Sequence, residues 1–294
     1  MPSEIIQWFP GHMAKTRRMI SENLKNVDIV IEILDARIPY SSRNPEITRL
    51  TEGKPTLLLL NKASMADPAQ NKLWIQRYTT ESTKCLLTDC VTGEGLNRME
   101  GAIKEILADK LRKYEEKGMI GRRVRAMVLG IPNVGKSSLI NRICGGKKAK
   151  VENRPGVTLD KQWVSTGIGV DLLDMPGILW PKFEERRVGE NLALTGAIRD
   201  GVLDTESLAP ILCKRLRTLY PELLATRYKL GDMSQYEELS DYDLFLAIGK
   251  KRGFLISGGE INTERTALML LDEFRNVKIG RITLERYSKE ELHA

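Results

Sequence analysis

Eight residues constrain this chain more than any others: Gly130-Ile131-Pro132-Asn133-Val134-Gly135-Lys136-Ser137, set directly behind an apolar run at 124–129. The pattern G-x-x-x-x-G-K-S needs a strand before it and a helix after it, and both contexts are legible here. Its glycines permit backbone conformations that aim successive N–H groups at phosphate oxygens. A helix opening near Lys136 adds its positive N-terminal end. Lys136 is therefore expected to contact the β- and γ-phosphates and assist their transfer. Ser137 is the expected Mg²⁺ ligand, with Val134, Gly135 and Ser138 lining the same cradle. Such a strand-loop-helix unit lives in an α/β sandwich whose sheet is mainly parallel.

The remaining pattern agrees. Apolar, β-rich runs at 28–34, 56–60, 84–88, 162–165 and 170–173 read as further strands, with helices at 68–78, 96–116 and 136–144. Beyond about residue 200 the alternation stops, and only helical stretches follow, at 208–220, 222–230, 241–249 and 263–276. We expect an α/β nucleotide-binding domain over 1–195 and a small all-helical domain over 200–290.

A second phosphate-side motif, Asp174-Met175-Pro176-Gly177, ends the strand at 170–173. An Asp there can hold a metal ion through water, and the Gly177 amide can sense a γ-phosphate. Between the motifs, Arg154-Pro155-Gly156-Val157-Thr158 offers the Thr158 hydroxyl as another Mg²⁺ ligand. On the base side, Asn61-Lys62-Ala63-Ser64 follows a buried strand. Asn61 suits a bridge to the phosphate loop, and the Lys62 stem can cover a guanine face. The fourth position is usually Asp, which accepts two guanine N–H groups at once; Ser64 cannot make that bidentate contact. Weakened discrimination against adenine is the expectation, unless Asp67, one helical turn on, substitutes. Asp89, Cys90 and Val91 sit behind the next strand, where a short loop can close on the base.

The base motif precedes the phosphate motif, the reverse of the common order. This implies a circularly permuted P-loop GTPase domain, because the same loops can still meet at one edge of the sheet. It also sends the chain from Gly177 straight into the helical region, a covalent route from γ-phosphate sensing to that domain.

Composition bounds the partners. Of 46 basic and 39 acidic residues, 14 and 15 fall in 201–294, so the net charge of +7 arises in the first 200 residues. A polyanionic partner fits, and in the last third it would have to meet local patches. Those patches are Lys214-Arg215-Arg217 and Lys250-Lys251-Arg252. No apolar stretch suits a membrane span and no secretory signal opens the chain, so a cytoplasmic protein without membrane partners is expected. The four cysteines match no metal-ligand spacing and read as thiols in a reducing compartment.

Taken together, Trp8-Phe9-Pro10-Gly11-His12-Met13, Asp35-Ala36-Arg37, Asn61-Lys62, residues 130–137, Pro155-Gly156-Val157-Thr158 and Asp174-Met175-Pro176-Gly177 resemble the circularly permuted GTPases of ribosome assembly over essentially the whole chain. The resemblance implies GTP and GDP as ligands. It also implies a precursor of the large ribosomal subunit, with its rRNA, as the client of a monomeric, RNA-binding switch in late assembly. It implies that His12, in a catalytic N-terminal segment 1–20, positions the attacking water, and that Asn133 holds an activating K⁺. Ser64 departs from the family's Asp, and Cys90 from its usual serine.

Ile178 stands where Ras-like enzymes carry a water-orienting Gln. Hydrolysis should therefore be slow alone and activated by the subunit. Asn61-Lys62 and D-M-P-G argue against a small-molecule kinase, whereas an RNA-binding platform with negligible turnover remains the alternative.

Overall fold

The structure, a computed structural model, describes residues 11–119, 121–145, 162–180 and 182–288, without the side chains of 11–13, 162 and 202. Its strands are β1 (Ile29–Asp35), β2 (Thr56–Asn61), β3 (Thr83–Leu87), β4 (Val124–Gly130), β5 (Gln162–Ser165) and β6 (Val170–Asp174). They form one sheet ordered β3-β2-β1-β4-β6-β5, parallel except for the β5–β6 pair. The α/β class and mainly parallel sheet are as the sequence predicts. Register sets Asp35 opposite Asn61, Ile33 opposite Gly130 and Val128 opposite Asp174. Parallel strands put their C-terminal ends on one edge, so the base motif and both phosphate motifs emerge together.

The helices of this unit are α1 (Gly11–Leu24), α2 (Pro45–Leu50), α3 (Pro68–Tyr78), α4 (Met99–Ile106), α5 (Ala108–Glu116) and α6 (Lys136–Ile143). On one face of the sheet, Val30, Met127, Leu129 and Leu173 pack with Met19 and Ile20 of α1 and Ile47 of α2. Farther along that face, Leu34, Leu58 and Leu60 pack with Trp74 and Tyr78 of α3. All seven β1 residues are buried. A central strand covered on both sides reads as an unbroken apolar run for that reason. Its interior polar residue is Glu32, lying between the two clusters.

The single helix expected over 96–116 is interrupted at Leu107, which ends α4 and precedes α5. Hydrogen bonding continues across it, from Leu107 N–H to the Ile103 carbonyl (3.0 Å) and from Leu111 N–H to the Leu107 carbonyl (2.9 Å). Leu107 stays buried while Lys110 and Tyr114, a turn or more on, reach the Asp28 carboxylate. Helices α1 and α2 have no counterpart in the sequence reading.

The second compact unit spans 183–284 among the described residues and holds α7 (Arg186–Leu194), α8 (Thr205–Leu219), α9 (Pro221–Tyr228), α10 (Asp241–Lys251) and α11 (Thr263–Arg275). Side chains of Asp204, Ser240 and Asn262 cap α8, α10 and α11. Leu212, Leu216, Phe245, Ile248, Leu270 and Phe274 are buried between these helices.

The unit boundary falls between Lys182 and Phe183, earlier than the 195–200 drawn from sequence, because α7 packs on α8. The chain end also departs from the expected limit at 290. Residues from 285 onward belong to the sheet unit, where the Glu285 carboxylate accepts the Tyr40 N–H at 2.7 Å and the Trp74 indole donates to the Glu285 carbonyl at 2.9 Å. Among the described residues no helix is long and apolar enough to cross a membrane.

Candidate functional site

The phosphate loop is tied to the base loop by one side chain. Asn61, 2% exposed at the end of β2, donates through Nδ2 to the Val134 carbonyl at 2.7 Å and accepts the Cys90 N–H through Oδ1 at 2.9 Å. The bridge expected of Asn61 is thus present, and it extends to the loop behind β3. Gly135 is required by it: at φ +110° a Cβ would stand 2.2 Å from Asn61 Nδ2. No side chain caps the start of α6, which leaves its first N–H groups for an anion.

Lys136 is nearly enclosed, and its ammonium donates to the Gly130 and Ile131 carbonyls at 3.1 and 2.8 Å. Burial pulls its pKa down to about 8, against the countercharge of Asp174. Burial also raises the Asp174 carboxyl, with Lys136 opposing. The Ser137 hydroxyl is exposed one residue beyond Lys136, and Ser138 beside it is exposed too. Ser137 and Asp174, a hydroxyl and a carboxylate on neighbouring segments, are the hard oxygen donors that Mg²⁺ takes. Thr158, the third expected ligand, lies outside the described residues.

Gly177 closes on the same place. A Cβ there would meet Lys136 Nζ, Pro132 Cα and Pro132 N, each at 3.0 Å. The next residue turns away: the Ile178 side chain is 2% exposed within the α1–α2 cluster, and its carbonyl accepts Asn44 Nδ2 at 3.1 Å. Asn133 is exposed on the loop at φ +58°, a conformation Asn tolerates. His12 falls in the first turn of α1, but its side chain lies outside what is described.

Asp35-Ala36-Arg37, one of the stretches that carry the resemblance, closes β1 beside the Asn61 end of β2. Asp35 is 3% exposed and grips Arg37 through two contacts, at 3.0 and 2.7 Å, and Lys62 Nζ at 2.9 Å. Burial works to raise the Asp35 carboxyl, but the two cations hold it far below the ordinary range. It thereby holds Lys62 Nζ at the end of β1, and the Lys62 backbone takes the left-handed conformation at φ +60°. A D-x-R triplet at a strand end was the available signal. The pairing with Lys62 required the parallel register of β1 and β2.

At the base, the Ser64 hydroxyl donates to Asp89 Oδ2. Asp67, considered as a substitute carboxylate, is occupied instead as the N-cap of α3, accepting from Ala69 N–H at 2.8 Å. The Cys90 thiol is buried, with its pKa pushed up to about 12, while Val91 is exposed at the loop tip.

Of the six cations proposed for RNA, four lie beside a carboxylate of their own unit. Arg215 pairs with Glu190 at 3.0 Å, Arg217 with Asp241 at 2.7 Å, and Arg252 with Glu273 at 3.1 Å. Lys214 is exposed but stands 3.8 Å from the Asp241 carboxylate, and Lys250 and Lys251 are exposed.

A phosphate loop clamped by a base-side asparagine, with a D-x-x-G glycine against its lysine, defines a P-loop GTPase, here built in permuted chain order. Comparison with known proteins agrees. A family model described as "50S ribosome-binding GTPase" matches residues 125–209. Ribosome biogenesis GTPase A of Bacillus pumilus is 47% identical over 96% of this chain and 98% of its own. Mitochondrial ribosome-associated GTPase 1 of Mus musculus is 33% identical over 96% and 91%. The GDP-bound structure of TM YlqF aligns with TM-score 0.59 and 26% identity over 92% of this chain and 99% of that one. The chain belongs to the ribosome biogenesis GTPase A family and is a GTP-hydrolysing enzyme.

Proposed function

We propose that this GTPase is a switch that binds a precursor of the large ribosomal subunit and promotes its late assembly, turning over GTP slowly until the subunit engages it. The carrying observation is Ile178. It occupies the position of a water-orienting glutamine and is buried in the core, so the group that aligns the attacking water must come from elsewhere. The names of the relatives and the description of the matching family model support a ribosomal client.

Within the site, the phosphate loop N–H groups and Lys136 bind and orient the phosphates, and Asn61 and Lys62 seat the base. Ser137, Thr158 and, through water, Asp174 would hold Mg²⁺, whose charge offsets that of the β- and γ-oxygens. Asn133 is the proposed K⁺ ligand and His12 the water-positioning residue. Lys214, Lys250 and Lys251 are the proposed rRNA contacts, because they are exposed, whereas Arg215, Arg217 and Arg252 are half-buried against carboxylates.

The test is single-turnover GTP hydrolysis with and without precursor large subunits, in K⁺ and in Na⁺. We expect acceleration by subunits, larger in K⁺ and lost on Asn133→Ala or His12→Ala. An unchanged rate under all conditions would favour the assembly platform with negligible turnover.

A further inference from the structure

The guanine site carries no aspartate at its fourth position, and the structure shows what stands there instead. Ser64 is exposed at the mouth of the base loop, and its hydroxyl proton goes to Asp89, which is only 4% exposed. The Asp89 carboxylate is held from the other side. Its Oδ1 accepts the Val91 and Thr92 N–H groups, both at 3.0 Å. Burial works to raise this carboxyl, but the bonds from Ser64, Thr92 and Val91 outweigh it and keep it ionised.

A hydroxyl has one proton and two lone pairs. Left to rotate, it would donate to adenine N1 as readily as it accepts from guanine N1–H. With its proton committed to a carboxylate, it presents lone pairs alone, and the adjacent charge strengthens it as an acceptor. Guanine offers N–H donors at N1 and at the 2-amino group, whereas adenine offers an acceptor at N1. We infer that Ser64 Oγ is the acceptor that selects guanine, and that Asp89 is the positioning residue that fixes its polarity. Asp67 has no part in it, being spent on the cap of α3. The inference rests on the reading that the Asn61-Lys62 loop receives the base.

Asp89→Asn inverts the arrangement. The amide oxygen must stay toward the Val91 and Thr92 N–H groups, so its nitrogen faces Ser64 and donates. The Ser64 proton then turns to the base. Competition of GTP, ATP and XTP against a fluorescent GDP reads the outcome.

We expect the preference for GTP over ATP to fall about tenfold or more. XTP, with a carbonyl in place of the 2-amino group, should gain on GTP. Ser64→Ala should also lower the guanine preference, but without the gain for XTP. The exchange Ser64→Asp with Asp89→Ser should restore selection, because a carboxylate returns to the base side.

If Asp89→Asn weakens all three nucleotides by one factor, Asp89 is only a loop brace and the inference is overturned. If Asn61→Ala leaves GDP binding intact, the base-site reading itself fails. Weakened binding in Asn61→Ala with unaltered ratios in Asp89→Asn would sink the polarity argument alone.

Discussion

Replacing Glu32 by Gln should remove a pH dependence of stability that the fold builds in. Glu32 is 2% exposed between the two clusters on the α1–α3 face of the sheet. Its Oε2 lies 3.9 Å from Arg43 Nε, beyond hydrogen-bond reach, and its Oε1 has no hydrogen-bond partner among the described residues. Burial, partly countered by Arg43, raises its pKa from the ordinary 4.5 to about 7.

Between those values the folded chain holds a proton that the unfolded chain has lost. Stability from this group is therefore full below 4.5, declines as pH rises through the window, and levels off above about 7. Integrating between pH 5 and pH 8 gives a loss of about 2.5 kcal/mol. The amide of Glu32→Gln brings its own cost for unmade hydrogen bonds, but that cost does not vary with pH.

The readout is thus the difference between variant and parent at the two pH values, in which other titrating groups cancel. The three described tryptophans, Trp74, Trp163 and Trp180, belong to the sheet unit, so urea unfolding followed by tryptophan fluorescence reports on it. The variant should gain about 2.5 kcal/mol on the parent between pH 5 and pH 8. An offset equal at both would refute the buried, protonated carboxyl.

Gly135→Ala should cost GDP affinity about ten- to a hundredfold through loss of the Asn61–Val134 bond, read by fluorescent-nucleotide titration. Asp35→Asn should loosen Lys62 and weaken GTP and GDP alike about tenfold, without changing the choice between purines, as the same titration would show. Arg217→Ala, which removes an ion pair to Asp241 and bonds to the Tyr236 and Leu239 carbonyls, should destabilise the helical unit by about 2 kcal/mol in far-UV circular dichroism melts. Lys250→Ala with Lys251→Ala should leave those melts unchanged and weaken rRNA binding with a shallower salt dependence, in filter-binding titrations across ionic strength.

Most of the site was legible before any coordinates, because its chemistry is local. A phosphate loop is a run of adjacent residues whose glycines, lysine and serine act within two turns of backbone, and D-x-x-G is equally compact. The six strands were legible too, since a parallel sheet buried on both faces leaves unbroken apolar runs. Helix α1 was hidden because its apolar face is sparse and it follows a motif read for chemistry. Helix α7 was assigned to the wrong unit, since its own residues do not say that α8 is its neighbour. The interruption at Leu107 left the helical period intact and gave no signal.

By itself the sequence determined the class of fold, the permuted order, the phosphate cradle and the absence of a carboxylate at position 64. Each is a property of neighbouring residues or of periodicity. Only the tertiary structure decided which distant groups share a hydrogen bond. It gave Lys62 to Asp35, the Val134 carbonyl to Asn61, the Ser64 proton to Asp89, and four of six candidate RNA-binding cations to carboxylates within the helical unit. Those pairings depend on strand register and helix packing, which bring together residues tens of positions apart, and no local pattern records them.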